Sequence, residues 1–141
     1  MLRFLILFLF SILLHVSSQA NVLSTPWEQT ENSSKQLYKV QMHCESPLNT
    51  GEFQQCHLII NALNASRGTQ SLEHLKILIG GGMPAHSHGL PTEPIINWSH
   101  ASKTYLIKGL KFSMPGKWVL HFYIDDKENN IKDVVSFNFI I

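Results

Sequence analysis

Met83, His86 and His88 fall within one short stretch, Gly80-Gly81-Gly82-Met83-Pro84-Ala85-His86-Ser87-His88-Gly89-Leu90-Pro91-Thr92, and a second Met-Pro pair follows at Met114-Pro115-Gly116. Imidazole nitrogen and thioether sulfur together suit copper. Histidine takes Cu(I) or Cu(II), and the soft sulfur of methionine favours Cu(I). A His-x-His pair sends both rings to one side of an extended backbone, because alternate side chains share a face. Glycines on one flank and prolines on the other hold the loop in a shape that regular sheet does not allow. Met83, His86, His88 and Met114 are therefore the candidate ligands for one copper ion. The same residues also have a purely structural reading. Loops of this composition turn the chain, their histidines bond to backbone groups, and methionine plugs irregular gaps in a core. Met114, in a turn just before Trp118, reads first as such a core residue.

Cys44 and Cys56 are the two cysteines. In an exported protein such a pair reads as a disulfide. If the segments around them pair antiparallel, a register that sets Cys44 opposite Cys56 also sets His43 opposite His57. The sequence thus permits a metal cluster at that place as well.

These residues need a frame, and the chain supplies a β one. Apolar runs with β-branched and aromatic residues in near alternation occur at 37–43, 56–63, 72–79, 104–110, 117–124 and 133–140, with a possible seventh at 95–98. Turn-forming clusters separate them, among them Gly80-Gly81-Gly82 and Pro115-Gly116. No stretch keeps helical periodicity over three turns. The expected fold is all-β, an immunoglobulin-like antiparallel β-sandwich of six to seven strands in one domain over 36–141. Residues 21–35 are polar and carry Pro26, so a flexible N-terminal segment is expected there. His121 alternates with Val119 and Tyr123 and reads as a sheet residue, and His74 has no motif around it.

Residues 1–20 have the layout of a signal peptide. Arg3 precedes an apolar run from Phe4 to Leu14, and Ser18-Gln19-Ala20 offers small residues to a peptidase. The run is about half the length a bilayer core requires, so no transmembrane segment is expected after cleavage. The mature chain would carry 10 Lys+Arg against 10 Asp+Glu, since residues 1–20 hold one of the 11 basic residues and none of the acidic ones. A neutral chain with no basic stripe lacks the electrostatic attraction that nucleic-acid binding requires. The three sequons at Asn32, Asn64 and Asn97 would carry glycans only in a eukaryotic secretory pathway.

Three segments together resemble the YtkA-like family, which is related to the FixH-like proteins. They are Gly81-Gly82-Met83-Pro84-Ala85-His86-Ser87-His88-Gly89-Leu90-Pro91-Thr92-Glu93-Pro94, the run from Tyr105 to Trp118 containing Gly109-Leu110-Lys111-Phe112-Ser113-Met114-Pro115-Gly116, and Asp133-Val134-Val135-Ser136-Phe137. The resemblance spans about residues 72–140 and rests on Met-Pro-x-His-x-His-Gly followed by Gly-Leu-x-Phe-x-Met-x-Gly-x-Trp. It implies a small exported β-sandwich domain, periplasmic or secreted, that handles copper through Met83, His86, His88 and Met114. The chain departs from many relatives in carrying Cys44 and Cys56 and in lacking a long anchoring helix.

Two functions compete on these residues. One is a non-catalytic copper-binding protein that transfers its metal to an envelope partner. The other is a metal-free interaction or accessory module of an envelope complex, in which the loop serves by shape. An enzyme is not expected, because the chain shows no nucleophile elbow, no zincin helix and no paired carboxylates at a recognisable spacing.

Overall fold

A computed structural model describes residues 25–64 and 72–141. The signal peptide expected over 1–20 and the turn expected at 65–68 lie outside the described residues. Among the described residues, nine strands form two antiparallel sheets: β1 (Trp27–Asn32), β2 (Tyr38–Cys44), β3 (Phe53–Ala62), β4 (Lys76–Met83), β5 (His88–Gly89), β6 (Ile95–Ser99), β7 (Thr104–Lys111), β8 (Lys117–Asp126) and β9 (Ile131–Ile140). One sheet runs β1-β2-β3-β7-β6 and the other β5-β4-β8-β9. The architecture is the all-β sandwich expected from the alternation. Among the described residues no helix is long and apolar enough to cross a membrane.

Period-two alternation accounts for the core. Tyr38, Val40, Met42 and Cys44 of β2 face inward, as do Trp118, Leu120, Phe122 and Ile124 of β8 and Val135, Phe137 and Phe139 of β9. Aromatic edges meet faces inside the core, both between the sheets and between neighbouring strands of one sheet. Phe112 lies 5.1 Å from Trp118 and 5.5 Å from Phe139, and Phe122 lies 5.7 Å from Phe137, all in T-shaped geometry. The Phe112–Trp118–Phe139 group lies near the end of β4 that leads into Met83, since Val119, next to Trp118, pairs with Gly82.

The strands outnumber the six to seven expected, and three elements differ: β5 is a short edge strand where a loop was expected, and β1 and β4 depart as follows. Part of the N-terminal segment expected to be flexible is an ordered edge strand, β1, paired with β2 from Trp27↔Cys44 to Asn32↔Lys39. Its anchor is Trp27, whose ring meets Phe139 of the opposite sheet at 5.2 Å, while Gln29 Nε2 donates to the Asn138 carbonyl. A single large aromatic thus orders a segment whose remaining residues are polar. The fourth strand, expected over 72–79, instead starts at Lys76 and runs through the triple glycine to Met83. The Tyr105 hydroxyl donates to the carbonyls of Leu72 and Leu75 and holds residues 72–75 in a turn. Beyond Ile79, a Cβ on Gly81 would collide with the Val119 carbonyl of β8, and one on Gly82 with the His88 carbonyl of β5. The glycines continue the ladder where neighbouring backbones come too close for any side chain.

Candidate functional site

Met83 ends β4, Pro84–His86 forms a single 3-10 turn, and Ser87 adopts the left-handed conformation (φ 51°) that reverses the chain. The chain then pairs back on itself, Met83↔His88 and Gly82↔Gly89, to make the edge strand β5. Proline at the start of the turn supplies its φ in advance. This hairpin brings two of the expected ligands together. The rings of His86 and His88 lie 6.3 Å apart, with 28° between their planes, and both residues are exposed.

The methionines lie elsewhere. Met83 is 2% exposed and belongs to the core. Its methyl carbon sits 2.7 Å from where a Cβ on Gly116 would be, and Gly116 has φ +136°, so glycine at that turn makes room for the methionine. Met114 is half-buried against the same core, and its carbonyl accepts a hydrogen bond from Trp118 Nε1 at 3.0 Å. Gly116 and Ile141 exchange two backbone bonds, at 2.8 and 3.1 Å, which tie the 114–116 turn to the end of the chain. In this arrangement Met83 packs beneath the hairpin, and of the four expected ligands only His86 and His88 are exposed. Among the described residues, no group of three or more His, Cys, Asp or Glu is gathered as a metal cage.

Beside the hairpin opens a cleft of about 410 Å³ whose walls include Pro84, Ala85, Trp118, Phe139 and Ile140. Ile140 is 71% exposed at its rim.

Cys44 and Cys56 form a disulfide, with Cα atoms 4.0 Å apart. The register places Cys44 opposite Cys56 and His43 opposite His57. Disulfides of this kind persist in oxidising compartments. His121, in β8, is half-buried with Nδ1 2.8 Å from Ser136 Oγ, the sheet role expected of it.

The sequence reading missed a polar network at the far end of β8. Asp126, 1% exposed, accepts hydrogen bonds from the Tyr38 hydroxyl at 2.8 Å, from the Asn129 backbone at 3.0 Å and from Asn129 Nδ2 at 2.9 Å. His74 Nε2 lies 3.2 Å from Asp126 and 3.6 Å from Glu128. His74 and Asp126 are 52 residues apart in sequence, so no local motif announces them.

Burial pushes the Asp126 carboxyl upward, but donation from Asn129, Tyr38 and His74 more than offsets it and holds the group below its ordinary 3.8. Burial likewise opposes ionisation at Asp133. There Ser33, Ser34 and the backbone amides of Val134 and Lys35 win, and the group is again held below 3.8. A carboxylate depressed in the folded state contributes stability that is fully present above its unfolded pKa and is lost as pH falls through the folded one. Resistance to urea is therefore expected to stay level down to about pH 4 and to drop below it. Asp126→Asn should lower stability at neutral pH and flatten that acid limb. An unchanged acid limb in the variant would remove Asp126 from the account.

Compared with known proteins, the chain matches no family model, no curated protein and no solved structure.

Proposed function

We propose that this protein is an exported, non-catalytic copper-binding module that holds one copper ion on His86 and His88 and passes it to a partner protein of the cell envelope. The observation that carries this reading is the pair itself, two exposed imidazoles 6.3 Å apart at the tip of an edge hairpin whose base is set by glycine and by buried Met83. Bound copper would supply a ligand-exchange centre there. With two protein ligands, positions on the ion stay open to an incoming donor, so transfer proceeds by swapping one ligand at a time. Met83 serves by positioning the hairpin, and Met114 is the more exposed of the two thioethers. The YtkA-like resemblance, the signal-like residues 1–20 and the disulfide all support a periplasmic or secreted setting.

The test is a titration of the purified protein with Cu(I), without oxygen and against a competing chelator. One equivalent is expected, with affinity falling in acid as protons compete for the imidazoles. Replacing both His86 and His88 with alanine should weaken binding by tenfold or more, since even partners outside the ligand set are worth about 10–100-fold. Met83→Leu, which conserves volume at a core position, should cost less than about 1.5 kcal/mol of stability and leave copper affinity in place. Affinity unchanged by the double histidine substitution would overturn the copper reading.

A second reading rests on the apolar cleft beside the hairpin, with exposed Ile140 at its rim. In that reading the module docks an envelope partner and the loop contributes shape. Absence of any stoichiometric copper in the same titration would favour it.

A further inference from the structure

The sandwich is open along one side. From Lys76 to Gly81, β4 pairs with β8 on one edge, while β5 reaches only Gly82 and Met83 on the other. β6 pairs with β7 alone. Among the described residues these two strand edges have no partner strand, and between them lies a cleft of about 540 Å³. Its walls are residues 73–79 on one side and 94–98 on the other, together with buried Tyr105. Glu73 Oε2 lies 3.6 Å from His100 Nδ1 and joins the two walls at one end. From that end the chain carries β4 away and brings β6 back, so Lys76 and Trp98 lie near the ion pair and Ile79 and Ile95 lie further along.

The lining is mainly aliphatic, from Leu75, Ile77, Ile79 and Ile96, and Leu78 and Ile95 stand 57% and 61% exposed along it. One polar group interrupts it. Trp98 Nε1 is buried without a hydrogen-bond partner, and its ring packs against that of Tyr105 at 5.0 Å in T-shaped geometry. Trp118 differs, since its Nε1 donates to the Met114 carbonyl. A buried donor left unpaired costs free energy that a bound acceptor would restore. Exposed Lys76 lines the same end of the cleft, and Glu73, the carboxylate in the lining, is already engaged by His100. Apolar walls with a few polar groups that fix orientation, in a volume of about 300–1,000 Å³, are the make-up of a small-molecule site.

We propose that the cleft between β4 and β6 binds an amphiphile of the fatty-acid class, its alkyl chain laid along the aliphatic walls and its carboxylate accepting from Trp98 Nε1 beside Lys76. The unpaired donor calls for an acceptor, the aliphatic walls for a saturated chain, and the lysine for negative charge. No residue of the cleft belongs to the His86–His88 hairpin, so this site stands apart from the copper reading.

The experiment uses the full chain, isotopically labelled, with decanoate below its micelle concentration. Each of the three tryptophans gives its own indole N–H signal in a proton–nitrogen correlation spectrum, and the signal lost in Trp98→Phe is that of Trp98. Decanoate is expected to move the Trp98 signal saturably at one equivalent and to leave that of Trp118 in place. Shortening the ligand to octanoate should weaken binding about tenfold, since each CH2 taken out of apolar contact is worth close to fourfold. Trp98→Phe, which keeps a ring and removes the donor, should weaken decanoate about tenfold by calorimetry. Ile95→Ser, at an exposed position, should weaken it about fivefold. Lys76→Gln should weaken decanoate and leave decanol unaffected. Near-UV circular dichroism of the variants checks that the sandwich is intact. No saturable movement of the Trp98 signal, or an affinity indifferent to chain length and to both Trp98→Phe and Ile95→Ser, would overturn the proposal.

Discussion

Alanine at Gly81 and alanine at Gly82 should damage the protein in different ways. At Gly81 the added Cβ meets the Val119 carbonyl and the Leu120 backbone, inside the β4–β8 ladder where both strands are held by neighbours. Neither can withdraw without breaking the sheet, so a loss of about 3 kcal/mol is expected, at the upper end of what overpacking costs. At Gly82 the added Cβ meets the His88 carbonyl and Gly89, and these belong to β5, a two-residue strand at the sheet edge. That strand can swing away. Stability should fall by only about 1 kcal/mol, while copper affinity drops by tenfold or more because His88 leaves its place beside His86. Urea unfolding and Cu(I) titration of the two variants, run side by side, read both quantities. Gly82→Ala with native copper affinity would mean that the hairpin geometry does not matter to the metal.

Removing the Cys44–Cys56 bridge should be nearly as costly as Gly81→Ala. The bridge closes a loop with a sequence separation of 12, and restricting a loop of that length in the unfolded chain is worth about 3 kcal/mol in the chain-entropy account. For a domain of this size, such a loss lowers the thermal midpoint by roughly 12 °C. Alanine at both positions tests this more cleanly than serine, which would bury two hydroxyls among core residues. A midpoint within about 2 °C of the native value would show that the β2–β3 register is held by packing alone.

Much of the frame was legible because alternation is a strong signal where one face is buried. The inward residues of β2, β8 and β9 follow period two with few exceptions, and the seventh strand, at Ile95–Ser99, appeared where apolar residues recurred. β1 was not legible. Its sequence, Trp-Glu-Gln-Thr-Glu-Asn, offers a single large apolar residue, and that residue finds its partner, Phe139, 112 positions away. The passage of β4 through three glycines was hidden for a similar reason. Glycine is a turn signal locally and a close-approach signal only once the neighbouring strands are known.

The candidate site divides along the same line. That His86 and His88 lie near one another was readable from their spacing, but the 3-10 turn and left-handed Ser87 that place them were not, since the spacing suggested an extended backbone. The depth of Met83 depended on where β4 ends and on the room left at Gly116, both matters of tertiary packing. His43 opposite His57 could be inferred because the cysteines supply a register mark, whereas His74 found its acidic partners across the fold with no mark at all.

The placement of the bridge also bears on the order in which the protein assembles. β2 and β3 are consecutive strands, so Cys44 and Cys56 meet as soon as one hairpin closes, an event of about 1–10 μs. β3 must then wait for β7, whose partners lie about fifty residues further along the chain, and non-local pairings of this kind are the slow steps of β-rich folding. Oxidation is slower still, seconds to hours, so the β2–β3 hairpin meets first, the sheets close on it, and the bridge then fixes covalently a register that pairing has already chosen.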